Sequence, residues 1–201
     1  KAGEFMYDIT PAVFHSAEEM ADGFVYNDFC GANLSKYLIK EAKKEGKILV
    51  FLKPCDTYSF NQLLKEHRIA RDNVYVVGIE CYGKLDIEKI KAQGIDGIVG
   101  VKIEDSTVTV NTIYGEQTMN KWDAVPERCV NCKSKKHVVY DELIGESEET
   151  NDADRFEQVR IIEAMSPEEK FAYFQNELSK CIRCNACRNV CPACSCRKCV
   201  F

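Results

Sequence analysis

No stretch of the 201-residue chain offers the roughly 18 to 20 uninterrupted apolar residues of a membrane-spanning helix, and no charged-then-apolar leader with a small-residue cleavage site opens it. No G-x-G-x-x-G occurs, which leaves a Rossmann dinucleotide site without support. No internal repeat of convincing period is found. Charge of one sign is also scarce: 27 basic against 32 acidic residues give a formal net charge of -5, which argues against nucleic acid as a main partner. With 45% hydrophobic and 10% aromatic residues the chain is not disordered, and it can bury a core without disulfide staples. A cytoplasmic protein is expected, in a compartment where thiols stay reduced and clustered cysteines usually mean metal.

Cysteine is what the chain has in excess. Of twelve, Cys30, Cys55, Cys81, Cys129 and Cys132 are dispersed, while Cys181, Cys184, Cys187, Cys191, Cys194, Cys196 and Cys199 crowd the C-terminal end.

The elements between them follow from periodicity. Asn33 as N-cap, Leu34, Tyr37, Leu38 and Ala42 at helical spacing, and Gly46 as a stop predict a helix over 34–45. The apolar run 47–53, ended by Pro54 and Cys55, predicts a buried strand. Asp56 caps a second expected helix with Phe60, Leu63 and Leu64 inward, and 74–79 reads as another buried strand, ending at Cys81. This helix–strand order predicts parallel pairing. A short helix near 87–93 is followed by an expected hairpin, 98–103 with 107–110, of the kind that often forms an antiparallel edge on such a sheet. The expected organisation is an α/β domain over 1–145, an acidic linker over 146–155, and a helical arm over 156–201. Its sheet is small and mostly parallel, with flanking helices and the antiparallel hairpin. In the arm, Ser166-Pro167-Glu168-Glu169 has the signature of a capping box with proline at the first helical position. Phe171, Phe174 and Leu178 carry that helix on towards Cys181.

The arm ends in Cys181-x2-Cys184-x2-Cys187-x3-Cys191-Pro192, the ferredoxin pattern for a 4Fe-4S cluster. Zinc is the competing reading, but zinc sites normally pair two C-x2-C knuckles across a longer loop. Cys194, Cys196 and Cys199 bring the local thiols to seven, one short of two four-thiolate cubes. The arm therefore carries one cluster with spare thiols, or two with a ligand from elsewhere. Arg183, Arg188, Arg197 and Lys198 either raise the potential of this anionic site or form a solvated surface.

Cys55 and Cys81 each follow a strand, and the carboxyl ends of parallel strands are where ligands bind. The Cys129-x2-Cys132 knuckle supplies two more thiols, making the four that a 4Fe-4S cluster takes. The plain alternative is that Cys55 and Cys81 are ordinary buried cysteines. Cys30 has no spacing partner and reads as a small buried residue, with eighth ligand of the arm as the alternative. Lys53, Lys84, Lys133, Lys135 and Lys136 can meet a pyrophosphate, although a short lysine run more often lies in a solvated loop. His137, near the knuckle, reads as a partnered structural histidine, with ligand or proton relay as the alternative.

Lys53-Pro54-Cys55-Asp56, Gly78-Ile79-Glu80-Cys81, and Arg128-Cys129-Val130-Asn131-Cys132 with Asp141-Glu142-Leu143-Ile144-Gly145 after it resemble the core of the coenzyme F-420 (deazaflavin) hydrogenase/dehydrogenase beta-subunit family. The chain departs from that pattern at Asp56, where Gln is usual, and over Lys133-Ser134-Lys135-Lys136, where acidic and aromatic residues are usual. The resemblance implies that Cys55, Cys81, Cys129 and Cys132 hold one 4Fe-4S cluster beside an FAD. If an FAD is bound, Lys53 and Lys84 are the candidates to meet its phosphates. The expected function is that of an iron-sulfur electron-transfer subunit in an anaerobic oxidoreductase complex of the hydrogenase, formate dehydrogenase or heterodisulfide-reductase kind, with two 4Fe-4S clusters, or three if the arm holds a pair. Its partners would be other flavin- or iron-sulfur-bearing subunits. The alternatives are a flavin-bearing catalytic subunit acting on a soluble carrier such as the deazaflavin, and a zinc-stabilised interaction module.

Overall fold

The computed structural model describes residues 1–145 and 154–196. Most of the expected acidic linker, and Arg197, Lys198 and Cys199, lie outside the described residues. In chain order the structure runs α1 (Ala17–Gly23), α2 (Ser35–Glu41), β1 (Ile48–Leu52), α3 (Pro54–Lys65), β2 (Val74–Ile79) and α4 (Ile87–Ala92). It continues through β3 (Ile98–Glu104), β4 (Thr107–Thr112), β5 (Gly115–Asn120), α5 (Lys121–Ala124), α6 (Glu127–Val130) and β6 (Glu142–Ile144). The arm contributes α7 (Glu157–Ala164), α8 (Pro167–Ser179) and α9 (Ala186–Val190). Among the described residues no helix is long and apolar enough to cross a membrane.

The α/β class and the parallel pairing of the two apolar runs stand. β1 and β2 are parallel, with Val50 opposite Val76, and β6 adds a third parallel strand, with Gly78 opposite Leu143. One face of this sheet packs on α2 and α3 through Leu38, Leu52, Phe60, Leu63 and Val76. Each such side chain, fully withdrawn from water, contributes about 1.5–3 kcal/mol. The opposite face of β1 is open: Leu49 is half exposed, so this strand is not buried on both sides as its apolar run suggests.

The hairpin departs from expectation in two ways. It has a third strand, β5, and the order β3-β4-β5 forms a separate antiparallel sheet instead of an edge on the parallel one. Gly115-Glu116-Gln117-Thr118-Met119-Asn120 lacks the apolar alternation of a half-buried strand because nearly all of it faces solvent. The meander owes its stability to Val108 and Val110 of β4, which pack with Ile98, Ile90, Phe29 and Val125 into a second core.

Two helix starts also differ. α2 begins at Ser35, with the Asn33 side chain accepting from the Ser35 N–H at 3.0 Å, and it ends earlier than expected, at Glu41. α3 begins two residues before Asp56. Pro54 takes the first turn, where its missing N–H costs nothing, and the Asp56 carboxylate reaches back to the Lys53 N–H at 3.2 Å. The capping box at Ser166 and Glu169 forms as expected, and α8 stops at Ser179.

Close packing explains two glycines. A Cβ on Gly78 would lie 2.5 Å from Leu143 and 2.8 Å from His137. Gly145 has a φ of +80°, and a Cβ there would lie 2.3 Å from the Glu80 carboxylate. The short β6 is pinned by Asp141, whose N–H donates to the Val76 carbonyl at 2.8 Å while its carboxylate accepts from the Val76 N–H at 2.7 Å and from Arg71 at 2.8 Å.

The Val76 N–H, and to a smaller degree Arg71, hold the Asp141 carboxyl below its usual range. The unfolded chain therefore binds the proton more readily, and this contribution is present above about pH 4 and lost as pH falls through the lowered value. Asp141→Asn is expected to cost about 1 kcal/mol at neutral pH, the net worth of one hydrogen bond, because water screens the Arg71 pair. Urea unfolding at neutral pH and at pH 3 checks this: the gap between variant and wild type should shrink on acidification.

Candidate metal centre

β1 and β2 run parallel, so their carboxyl ends lie side by side and deliver Cys55, at the start of α3, and Cys81, just past Ile79. Cys129 sits within α6 and Cys132 follows it. All four thiols are half-buried and none is in a disulfide. Cys55 lies within electrostatic reach of Cys81 and Cys132, and Cys81 within reach of Cys129. Among the described residues, no three Cys, His, Asp or Glu side chains come close enough to hold a metal ion. The four thiols thus share a neighbourhood without forming a closed coordination shell.

Burial, reinforced by the Asp56 carboxylate, pushes the Cys55 thiol up to about 12. Burial likewise raises Cys81, although the Gly83 N–H and the Lys84 ammonium oppose it. Thiols kept protonated by a low-dielectric setting become ligands when a cation repays the cost of their ionisation. The donor set, sulfur throughout and half-buried, suits a thiolate-held iron-sulfur group in kind.

Buried lysines lie within electrostatic reach of Cys55 and Cys81. Lys53 bonds the Asp56 carboxylate at 2.8 Å and the Ala32 carbonyl at 2.7 Å. Burial works against its charge, but Asp56 outweighs burial and holds the ammonium above its usual range. Lys84 donates to the Asn27 carbonyl at 3.1 Å and lies 3.9 Å over the Tyr26 ring. Lys135 is 7% exposed, which removes it from the solvated loop expected for the lysine run; Lys136 is exposed.

Cys30 belongs to this region and not to the arm. It lies within electrostatic reach of Tyr26 and Lys84, both also in reach of Cys81. Tyr26, which nothing in the sequence distinguished, donates to the Glu80 carbonyl at 2.5 Å beside Cys81. His137 is the partnered structural residue expected, its Nε2 3.2 Å from the carbonyls of both Leu52 and Ile79 at the strand ends. Two acceptors at that nitrogen require it to carry the proton.

Beside the thiols, the open face of β1 and the N-terminal segment enclose a cavity of about 710 Å³. Phe14, Phe24, Tyr37 and Phe51 line it, with Cys30 and Lys53 on its wall. Its size and apolar lining fall in the range of cofactor sites. Lys84 is not on that wall.

In the arm, Cys181, Cys184, Cys187, Cys194 and Cys196 are exposed and Cys191 is half-buried. The loop around Cys184 turns through two left-handed residues, Arg183 at φ +57° and Asn185 at φ +60°. The N–H groups of Ala193 and Cys194 bond the Cys191 thiol and hold it below its usual range. Cys194 lies in reach of Cys191 and Cys187.

The parallel α/β sheet thus gathers thiols at its carboxyl end and is followed by a ferredoxin-patterned arm. The chain is 25% identical, over an alignment of 266 residues, to the F420-dependent formate dehydrogenase 1 subunit beta of Methanococcus maripaludis, with 100% of this chain and 68% of the relative covered. It is 23% identical over 257 residues to the F420-dependent formate dehydrogenase subunit beta of Methanocaldococcus jannaschii, with 99% and 68% covered. No family model matches the chain. These similarities place the chain beside beta subunits of F420-dependent formate dehydrogenases.

Only a thiolate attacks an alkylating agent at an appreciable rate. In iron-free protein at pH 8, iodoacetamide is expected to modify Cys181, Cys184 and Cys187 first and Cys55 roughly tenfold more slowly. Peptide mapping over time reads the order; equal rates at Cys55 and Cys181 would contradict the buried, proton-holding setting of Cys55.

Proposed function

We propose that this chain is an electron-transfer subunit of an oxidoreductase complex, with Cys55, Cys81, Cys129 and Cys132 as ligands of one 4Fe-4S cluster. Cys181, Cys184, Cys187, Cys191, Cys194, Cys196 and Cys199 supply the ligands of a further cluster, or of two. The observation that supports the reading is the shared neighbourhood of half-buried Cys55, Cys81, Cys129 and Cys132, within electrostatic reach of one another in part and with the Lys53 and Lys84 ammonium groups near Cys55 and Cys81. Bound there, such clusters accept and release single electrons. The chain's own part is to place the thiols, withdraw Cys55 and Cys81 in part from water, and set positive charge near them through Lys53 and Lys84. Burial, charge and hydrogen bonds to sulfur are the levers that set the potential. The two relatives are named as subunits of F420-dependent formate dehydrogenases, and by kinship the partners proposed here are other oxidoreductase subunits, in a reducing, anaerobic cytoplasm.

A second reading, a flavin-bearing subunit acting on a soluble carrier such as a deazaflavin, is favoured by one observation: the cavity of about 710 Å³ with aromatic walls beside the thiols. Lys53, on its wall, is the cation available to a flavin phosphate, while the Lys84 ammonium is engaged with Asn27 and Tyr26.

Anaerobic purification followed by iron and acid-labile sulfide analysis, electronic and EPR spectra, and flavin extraction tests both. The expected result is brown protein with iron and sulfide in equal amounts and a fast-relaxing EPR signal on reduction. Zinc without sulfide would overturn the electron-transfer reading in favour of a zinc-stabilised module. Protein with clusters but no extractable flavin would remove the second reading alone.

A further inference from the structure

The arm meets the α/β body through polar contacts that neither motif announces. Lys36, the second residue of α2, is half-buried and extends its ammonium to the Cys191 carbonyl at 3.0 Å and to the Cys194 carbonyl. Between these carbonyls and the chain end, the Ser195 hydroxyl donates to the Glu66 carboxylate just past the end of α3. Ser195 is 8% exposed, whereas Cys194 and Cys196 on either side of it are exposed. Apolar packing does not hold the arm in place, because α7, α8 and α9 contain no buried residue. Among the described residues, the polar contacts of the arm with the α2–α3 pair are supplied by one ammonium and one carboxylate.

The same spot leads to the core thiols. Next to Lys36, the Ser35 hydroxyl donates to the Asp56 carbonyl at 2.7 Å, and Asp56 follows Cys55 in the chain. A continuous route thus runs from the Cys191 carbonyl through Lys36, Ser35 and Asp56 to Cys55 by two hydrogen bonds and a short length of backbone. Cys55 and Cys191, more than a hundred residues apart in sequence, are joined across a single helix pair.

We propose that Lys36 and Glu66 form a polar seat that docks the terminal cysteine segment on α2–α3 and holds its cluster in register with the one at Cys55. Lys36 is a positioning residue in this arrangement, since it bonds the backbone of the ligand loop and not the sulfurs. The proposal rests on the iron-sulfur reading, but the seat itself is a property of the polypeptide and is measurable apart from it.

The test uses the full chain as wild type, Lys36→Met, Lys36→Arg and Glu66→Gln. Hydrogen–deuterium exchange across residues 188–196 reads the seat directly, and the EPR spectrum of the fully reduced protein reads the magnetic interaction between centres. Lys36→Met is expected to quicken exchange there about tenfold, the equivalent of one net hydrogen bond of about 1.4 kcal/mol. It should also narrow the interaction-broadened EPR signal while iron and sulfide contents stay at the wild-type level. Lys36→Arg should restore both, and Glu66→Gln should quicken exchange to a smaller degree. Unchanged exchange and an unchanged EPR interaction in Lys36→Met, with clusters present, would overturn the seat and leave the iron-sulfur reading standing. Absence of sulfide from the wild type would overturn the iron-sulfur reading, and exchange alone would then decide whether the seat exists.

Discussion

The buried pair between Lys53 and Asp56 is the constraint on which the rest of the site depends. Lys53 follows β1 directly as the N-cap of α3 and Asp56 lies in the first turn of that helix, so the pair fixes the point where strand gives way to helix. The carboxylate satisfies both the ammonium and the N–H of Lys53, the ammonium ties in the loop at Ala32, and the Asp56 carbonyl receives the Ser35 hydroxyl from α2. Cys55 lies between the two charges in sequence and inherits its position from them. Breaking a buried pair by removing one partner generally costs about 3–5 kcal/mol, because the remaining charge has no water to turn to. The glutamine usual in the related family could bond Lys53 but not neutralise it. Asp56 thus leaves the thiol region with one compensated ammonium and Lys84 as a further buried lysine near it.

That balance gives the thiols their character. A half-buried thiol beside a carboxylate resists ionisation, as Cys55 does, and neighbouring ammonium groups reduce the resistance without abolishing it. Such a site is poised to exchange protons for a cationic group and to hold the resulting thiolates in a poorly solvated setting. The arm is built by a different rule. Its thiols are exposed, its loop bends through left-handed residues, and backbone N–H groups, not burial, favour the Cys191 thiolate. Two centres so differently solvated would differ in potential, as a relay between partners needs.

Much of this was legible in the residue pattern, for identifiable reasons. β1 and β2 are apolar runs bounded by breakers, and the convergence of Cys55 and Cys81 follows from parallel topology alone. The capping box at Ser166 carries its own chemistry and needs no tertiary context. β5 was hidden because a solvent-facing strand has no apolar stripe, and β6 because three exposed residues are recruited by Asp141 and by the space Gly78 leaves. Lys36 and Glu66 look like ordinary surface residues, and Cys30 like an isolated thiol. Their roles arise from contacts between distant segments, which no local periodicity encodes.

The central claim is that the thiols at the sheet edge hold an iron-sulfur centre independent of the arm. Native mass spectrometry of anaerobically isolated protein, wild type against Cys81→Ala, tests it most directly. The account predicts that the variant loses the mass of one cluster of four irons and four sulfides while the mass borne by the arm remains. An unchanged metal and sulfide mass in Cys81→Ala, or a wild type carrying only zinc, would contradict it.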